Sequence, residues 1–187
     1  REGGFNEHAV NIGKKLGFNV TVKYVDIING EDCDMSDQTI FEALENQVKS
    51  GFYRGVLASP PCSTFSLARG LPDGPRKVRS AAGHGRYGLS DLKPKEKESV
   101  RLGTLLALRA ARICSVCHVQ GIPWLVENPA ERLNEVSLFK LDEWQKLFTD
   151  SGAHRNILAH VLRARRLAVG LRRRPRGGRH DHRVLQR

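Results

Sequence analysis

The feature that most restricts how this chain can fold is a short apolar run that stops on two prolines. Gly55-Val56-Leu57-Ala58 is followed by Ser59, Pro60 and Pro61, then by Cys62-Ser63-Thr64-Phe65-Ser66. A run this short, bounded by chain breakers, predicts a buried strand rather than a helix. Proline has no N–H to give a central ladder, so Pro60-Pro61 end the strand and stiffen its exit. Cys62 is thereby expected at the carboxyl edge of a sheet, where open α/β folds bind their ligands. On its own, Pro-Pro-Cys reads more simply as a small buried cysteine in a tight turn.

A second stretch with the same grammar changes that reading. Ile122-Pro123-Trp124-Leu125-Val126-Glu127-Asn128-Pro129 is again an apolar strand, then polar residues, then proline. If the two strands are parallel neighbours, Cys62 and Glu127 leave the sheet at one edge. A thiol and a carboxyl group facing one pocket suit addition to a ring that must be protonated elsewhere.

These residues resemble the cytosine 5-methyltransferases of DNA and the related enzymes that act on tRNA. That family carries Pro-Pro-Cys-Gln-x-Phe-Ser and, downstream, Glu-Asn-Val. Here the segments are Pro60-Pro61-Cys62-Ser63-Thr64-Phe65-Ser66 and Glu127-Asn128-Pro129, with Ser63 in place of Gln and Pro129 in place of Val. The resemblance covers roughly residues 3–149. It implies a Rossmann-like, S-adenosylmethionine-dependent α/β methyltransferase fold, with a mostly parallel sheet flanked by helices.

Composition divides the chain. The net charge is +11 over 187 residues, yet eleven of the 31 Lys and Arg and only one of the 20 acids lie in residues 155–187. The body is close to neutral, so the usual inference from basic charge to nucleic acid attaches to the tail. Two units are expected: a partial methyltransferase catalytic domain over 1–154, and an Arg-rich, low-complexity, disordered tail over 155–187. Arginine without lysine there is also the composition of a GC-rich stretch translated out of frame. The chain begins at Arg1 and is expected to be a fragment. No apolar run is expected to approach membrane-spanning length and no signal peptide is visible, so an intracellular protein, nuclear or cytoplasmic, with reduced cysteines is expected. Cys114-Ser115-Val116-Cys117-His118 has the form of a haem attachment motif, but it lies in a helical apolar pattern and reads as core. A single Cys-x-x-Cys pair is also weak support for zinc.

In order, Gly3-Gly4-Phe5 opens a helix bearing Ala9, Ile12 and Leu16, closed by Gly17. Val20, Val22 and Tyr24 alternate with polar residues up to Asp26, which predicts a strand ending in an acid. Glycine turn, helix, strand and acid make the opening unit of a nucleotide-binding fold. The family's first motif, Phe-x-Gly-x-Gly-Gly-Phe, is matched by Gly3-Gly4-Phe5 in its last three positions alone. By resemblance, Gly3, Gly4, Phe5, Asp26, Asp34, Met35 and Pro60 would hold S-adenosylmethionine, with Asp34 near the adenine amino group and Met35 against the ring. The plainer reading of Asp32-Cys33-Asp34 is an acidic turn before a helix capped by Ser36 or Asp37, with Ile40, Phe41, Leu44 and Val48 buried.

Residues 67–94 are rich in Gly, Pro and basic side chains and show no period. So long a loop is functional or disordered. By resemblance it closes over DNA and carries the target base into the pocket, with Ser63, Ser66, Arg69 and Arg86 touching nucleic acid; RNA is the alternative substrate. A helix over 95–119 follows, with Leu102, Leu105, Leu106, Ala110, Ile113 and Cys117 on or beside one face. After the Glu127 strand, Leu141, Trp144, Leu147 and Phe148 mark a last amphipathic helix. No metal site is expected.

The chemistry implied is covalent. Carbon 5 of cytosine is a poor nucleophile until a thiolate, here Cys62, adds at carbon 6 and makes an enamine. A free thiol is mostly protonated at neutral pH, so its site must favour the thiolate. Glu127, as a buried protonated carboxyl on ring N3, would relieve the developing charge, and Asn128 would hold the loop. A base inside a duplex must first be flipped out. Two other readings stand beside this one. Ser59-Pro60-Pro61 also fits an amino-methyltransferase, although Cys62 stands where those enzymes carry an aromatic ring. A catalytically inactive remnant would bind nucleic acid through its Arg tail.

Overall fold

The computed structural model describes residues 4–129 and 134–152. The expectations placed on Gly3 and on the Arg-rich tail lie outside the described residues. Four α-helices and two strands form in the order α1 (Phe5–Lys15), α2 (Gln38–Lys49), β1 (Val56–Ala58), α3 (Pro94–Val119), β2 (Trp124–Val126) and α4 (Asp142–Ser151). The class is mixed α/β.

β1 and β2 pair in parallel, with Val56 opposite Trp124, Leu57 opposite Leu125 and Ala58 opposite Val126. Parallel neighbours require a crossover, and α3 supplies it. Strand alternation sends Val56, Ala58, Trp124 and Val126 towards the apolar clusters, while Leu57 and Leu125 emerge together on the other face, 39% and 46% exposed.

α3 is the central rod. One cluster joins Ala107, Ala111 and Cys114 of α3 to Trp144, Leu147 and Phe148 of α4, with Val126 and Phe65 between them. A second joins Ile113, Val116 and Cys117 to Phe41 and Val48 of α2. α3 is thus apolar on two faces, not on the single one expected, because α2 and α4 cover it from two sides. Leu102 lies outside both clusters and is 37% exposed. α3 is also long and apolar enough to cross a membrane by length and composition, which corrects the expectation that no segment is. A core helix passes the same test, and the arginines of α3 are held by polar partners. Arg109 donates to the carbonyls of Met35 and Asp37 and lies over the Phe41 ring at 4.8 Å, and Arg112 Nε meets Glu45 Oε1 at 2.6 Å.

Local signals place the helix ends. Asp37 caps α2 by accepting from the N–H groups of Thr39 and Ile40, at 2.8 and 3.0 Å. Glu45 on the same helix is buried yet ionisable. Burial pushes its pKa up, but hydrogen bonds from Arg112 and Lys49 outweigh this and hold it below the ordinary value of 4.5. A depressed carboxyl stabilises the fold above its unfolded pKa and loses that contribution as pH falls through the folded one. Arg112→Ala is therefore expected to flatten the loss of stability below about pH 4.5, read by urea unfolding at a series of acid pH values.

The expected strand over 19–26 does not form a ladder. A strand needs a neighbour for its N–H and C=O groups, and this segment lies instead against α1. Tyr24 Oη accepts from the Asn6 N–H at 2.8 Å. Gly13 leaves room for Val20, since a Cβ there would stand 2.3 Å from Val20 Cγ2. The expected mostly parallel sheet is in fact a two-stranded one among the described residues, with α3 beside it. Phe5 and Ile12 of α1 and Leu16, which caps its end, are 52 to 65% exposed.

Candidate active site

The parallel pairing brings the two proline-terminated segments to one edge. Ser59 Oγ donates to Glu127 Oε2 at 2.8 Å, and the Glu127 N–H donates to the Ala58 carbonyl at 2.9 Å. One step further out, Asn128 is 1% exposed and its Nδ2 donates to the Pro60 carbonyl at 3.0 Å. Asn128 thus ties the buried Pro60 to the second loop. Beyond Pro61, Cys62 is exposed and begins a turn closed by the Phe65 N–H on the Cys62 carbonyl, at 2.9 Å. Glu127 is exposed, so the enclosed carboxyl expected from the chemistry is not preformed.

Phe65 and Thr64 are buried and anchor the turn from below, while Ser63 beside Cys62 is exposed. Ser66 Oγ accepts from the Ala68 N–H. Arg69 Nε donates to the Ser63 carbonyl at 2.8 Å and its Nη1 to the Arg76 carbonyl. Arg86 is committed elsewhere: it pairs with Asp142 at 2.8 Å and donates to the Lys140 carbonyl. Its guanidinium therefore braces α4, where the sequence placed it on nucleic acid. A small cleft lined by Ser66, Arg69, Lys77 and Glu135 lies beside this turn. It holds about one water molecule and is too small for a pyrimidine.

The cofactor candidates fare differently. Gly4 caps α1, and Phe5 is half exposed. Asp26 accepts from the Ile28 N–H at 3.0 Å, and Asp34 accepts from the Ser36 N–H at 2.7 Å. That backbone bond, chiefly, holds the Asp34 carboxyl below its usual range. Met35 packs on the Phe41–Val48 cluster, and its carbonyl takes a hydrogen bond from Arg109. Asp26 and Asp34 thus give their carboxylates to local turns, and Met35 lies against the apolar cluster rather than in an open cleft.

The four cysteines are free. Cys114 and Cys117 are buried, as the helical pattern indicated. Burial pushes the Cys114 thiol far above its ordinary range, and pushes Cys117 up to about 11. A thiol with a raised pKa is not the attacking thiolate below that pH. Iodoacetamide at pH 8 is expected to alkylate Cys62 and leave Cys114 and Cys117 unmodified until the chain is unfolded, read by peptide mass spectrometry. No cluster that could hold a metal ion occurs among the described residues.

Sequence reasoning missed Arg79, which is 1% exposed and bonded to both Thr64 and α3. A buried arginine carries no local signature in a Gly- and Pro-rich segment. Comparison with protein-family models, curated proteins and solved structures gives no match for this chain.

Proposed function

We propose that the β1–β2 edge is the nucleophile half of a cytosine 5-methyltransferase-like site of Rossmann-like ancestry, acting on DNA. The single observation that carries this reading is the shared edge: Ser59 on the Cys62 segment bonds Glu127, 68 residues further along the chain. In this reading the Cys62 thiolate forms an S–C6 bond to a flipped-out cytosine. The ring electrons move towards C5, and N3 takes a proton from Glu127. A base seated over the edge would itself supply the enclosure that Glu127 lacks in the free chain. C5 of the resulting enamine takes a proton from water; loss of the original C5 hydrogen as a proton, expulsion of the thiolate and return of the N3 proton to the Glu127 carboxylate then restore the aromatic ring. The remaining element, a sulfonium methyl donor, is supplied by the resemblance alone.

The addition step is measurable without a methyl donor. Reversible attack at C6 exchanges the C5 hydrogen with water, so DNA carrying [5-3H]cytosine should release tritium to solvent. With S-adenosylmethionine and 5-fluorocytosine DNA, a denaturation-resistant adduct should form on Cys62. Exchange without an adduct would locate the deficiency in the donor half. Methyl transfer with no adduct would indicate the amino-methyltransferase reading. Neither exchange nor adduct, with salt-sensitive DNA binding, would favour the inactive remnant. That last reading draws on one observation, the dispersal of Asp26, Asp34 and Met35 into caps and core.

A further inference from the structure

The segment between Ser66 and α3 is built in place. Val78, Leu92 and Val100 form a small core of their own, 1, 8 and 5% exposed, with Leu89 against them. The Leu89 N–H donates to the Val78 carbonyl at 3.0 Å, and the Ser80 N–H to the Gly85 carbonyl at 2.8 Å. Tyr87 reaches α4, where its hydroxyl donates to Glu143 at 2.8 Å and accepts from the Asp142 N–H at 3.0 Å.

At the centre lies Arg79. Its Nε donates to Thr64 Oγ1 at 3.2 Å and its Nη1 to the Arg86 carbonyl at 2.9 Å. Its Nη2 donates to the Val100 carbonyl and to Thr104 Oγ1, both at 3.0 Å. The guanidinium carbon stands 3.9 Å from the centre of the Phe65 ring. Every acceptor is a neutral oxygen. Burying a cation with no carboxylate partner is costly, and here burial, then the charge of Arg69, brings its pKa down to about 10. It nevertheless remains charged at neutral pH. Gly103 on α3 makes the close approach possible: a Cβ there would stand 2.8 Å from Thr64 Oγ1 and 3.5 Å from Arg79 Nη2. A glycine inside a helix is less favourable than alanine, so α3 forgoes stability at the position where it meets this arginine.

We propose that Arg79 is a positioning residue that fixes the Cys62–Phe65 turn against α3, and that residues 67–93 form a standing wall of the site rather than a lid that closes over substrate. The second half revises the closing loop that the resemblance implies. The proposal rests on the reading of Cys62 as nucleophile for its functional meaning, but amide exchange tests it without any reaction. In the full-length chain the Ser80, Tyr87 and Leu89 amides are expected to exchange at least ~100-fold slower than free peptide, as stable hydrogen-bonded structure does. Exchange at the free-peptide rate would restore the lid.

Arg79→Lys keeps the charge but loses the planar fork. It is expected to speed exchange at the Phe65 amide about tenfold while Gln145 in α4 is unchanged, and to lower the kcat of tritium release at unchanged KM. Gly103→Ala, which displaces Thr64 from the helix side with Arg79 intact, should give the same pattern. Wild-type behaviour of Arg79→Lys in both measurements would show that charge, not the fork, matters and would overturn the positioning role. Equal acceleration at Phe65 and Gln145 would reduce Arg79 to general stability and overturn it too. Absence of tritium release from the unmodified chain would remove the methyltransferase reading and leave the exchange results to decide the wall.

Discussion

Cys62→Ser is expected to abolish both the 5-fluorocytosine adduct and tritium release, a fall of about three orders of magnitude or more. A serine hydroxyl is a far weaker nucleophile than a thiolate, and no base hydrogen-bonded to position 62 is present among the described residues to activate it. Cys62 is exposed, so the substitution leaves the apolar clusters intact and the melting temperature should stay within a degree or two. Glu127→Gln is a graded companion. It removes the proton that neutralises N3 but can still accept from Ser59, so tritium release should fall about 100-fold with folding preserved. A Cys62→Ser chain that still exchanges tritium would end the covalent reading. An unaffected Glu127→Gln would leave the thiol without its acid.

Trp144→Ala carries the largest expected cost in stability. Trp144 is fully buried, packed edge-on to Phe139 at 5.9 Å and tilted against Phe148 at 5.8 Å. Truncation of such a side chain costs about 3–5 kcal/mol, a large part of the 5–15 kcal/mol that holds a domain together. Trp144→Phe is expected to cost only about 1 kcal/mol. It leaves a smaller void and also deletes an indole N–H that is buried without an acceptor among the described residues. Urea unfolding of the two variants reads the difference directly. Equal losses would mean that the ring is needed for its polar atom and not for its bulk.

What the sequence made legible was local. A cap at Ser36 or Asp37 (the structure gives it to Asp37), Gly17 and Gly51 as helix ends with φ of +78° and +72°, and the two strand exits at Pro60 and Glu127 all follow from residue type and spacing. The pairing of those strands was inferable because both halves repeat one pattern. What failed needed a partner that local pattern does not name. Residues 19–26 alternate as a strand should, but alternation supplies no neighbour for a ladder. Arg69, Arg79 and Arg86 look alike in a basic loop. Only packing separates Arg79, sealed under Phe65, from Arg86, turned to Asp142. Asp34 and Met35 were candidates by resemblance alone, and the contacts they make with a turn and a core were not legible from it.

The three-residue ladder also makes the site's geometry a digital quantity. Ala58 faces Val126, and the thiol of Cys62 and the carboxyl of Glu127 follow four and one residues later. Sliding one strand by a single position would move its exit by about 3.3 Å and turn every side chain to the opposite side of the pleat. Intermediate settings do not exist. Evolution or a designer can therefore lengthen the connection between Ser66 and Lys93 freely, provided its anchored residues stay, whereas inserting one residue before Pro60 would misalign sulfur and acid in a single step.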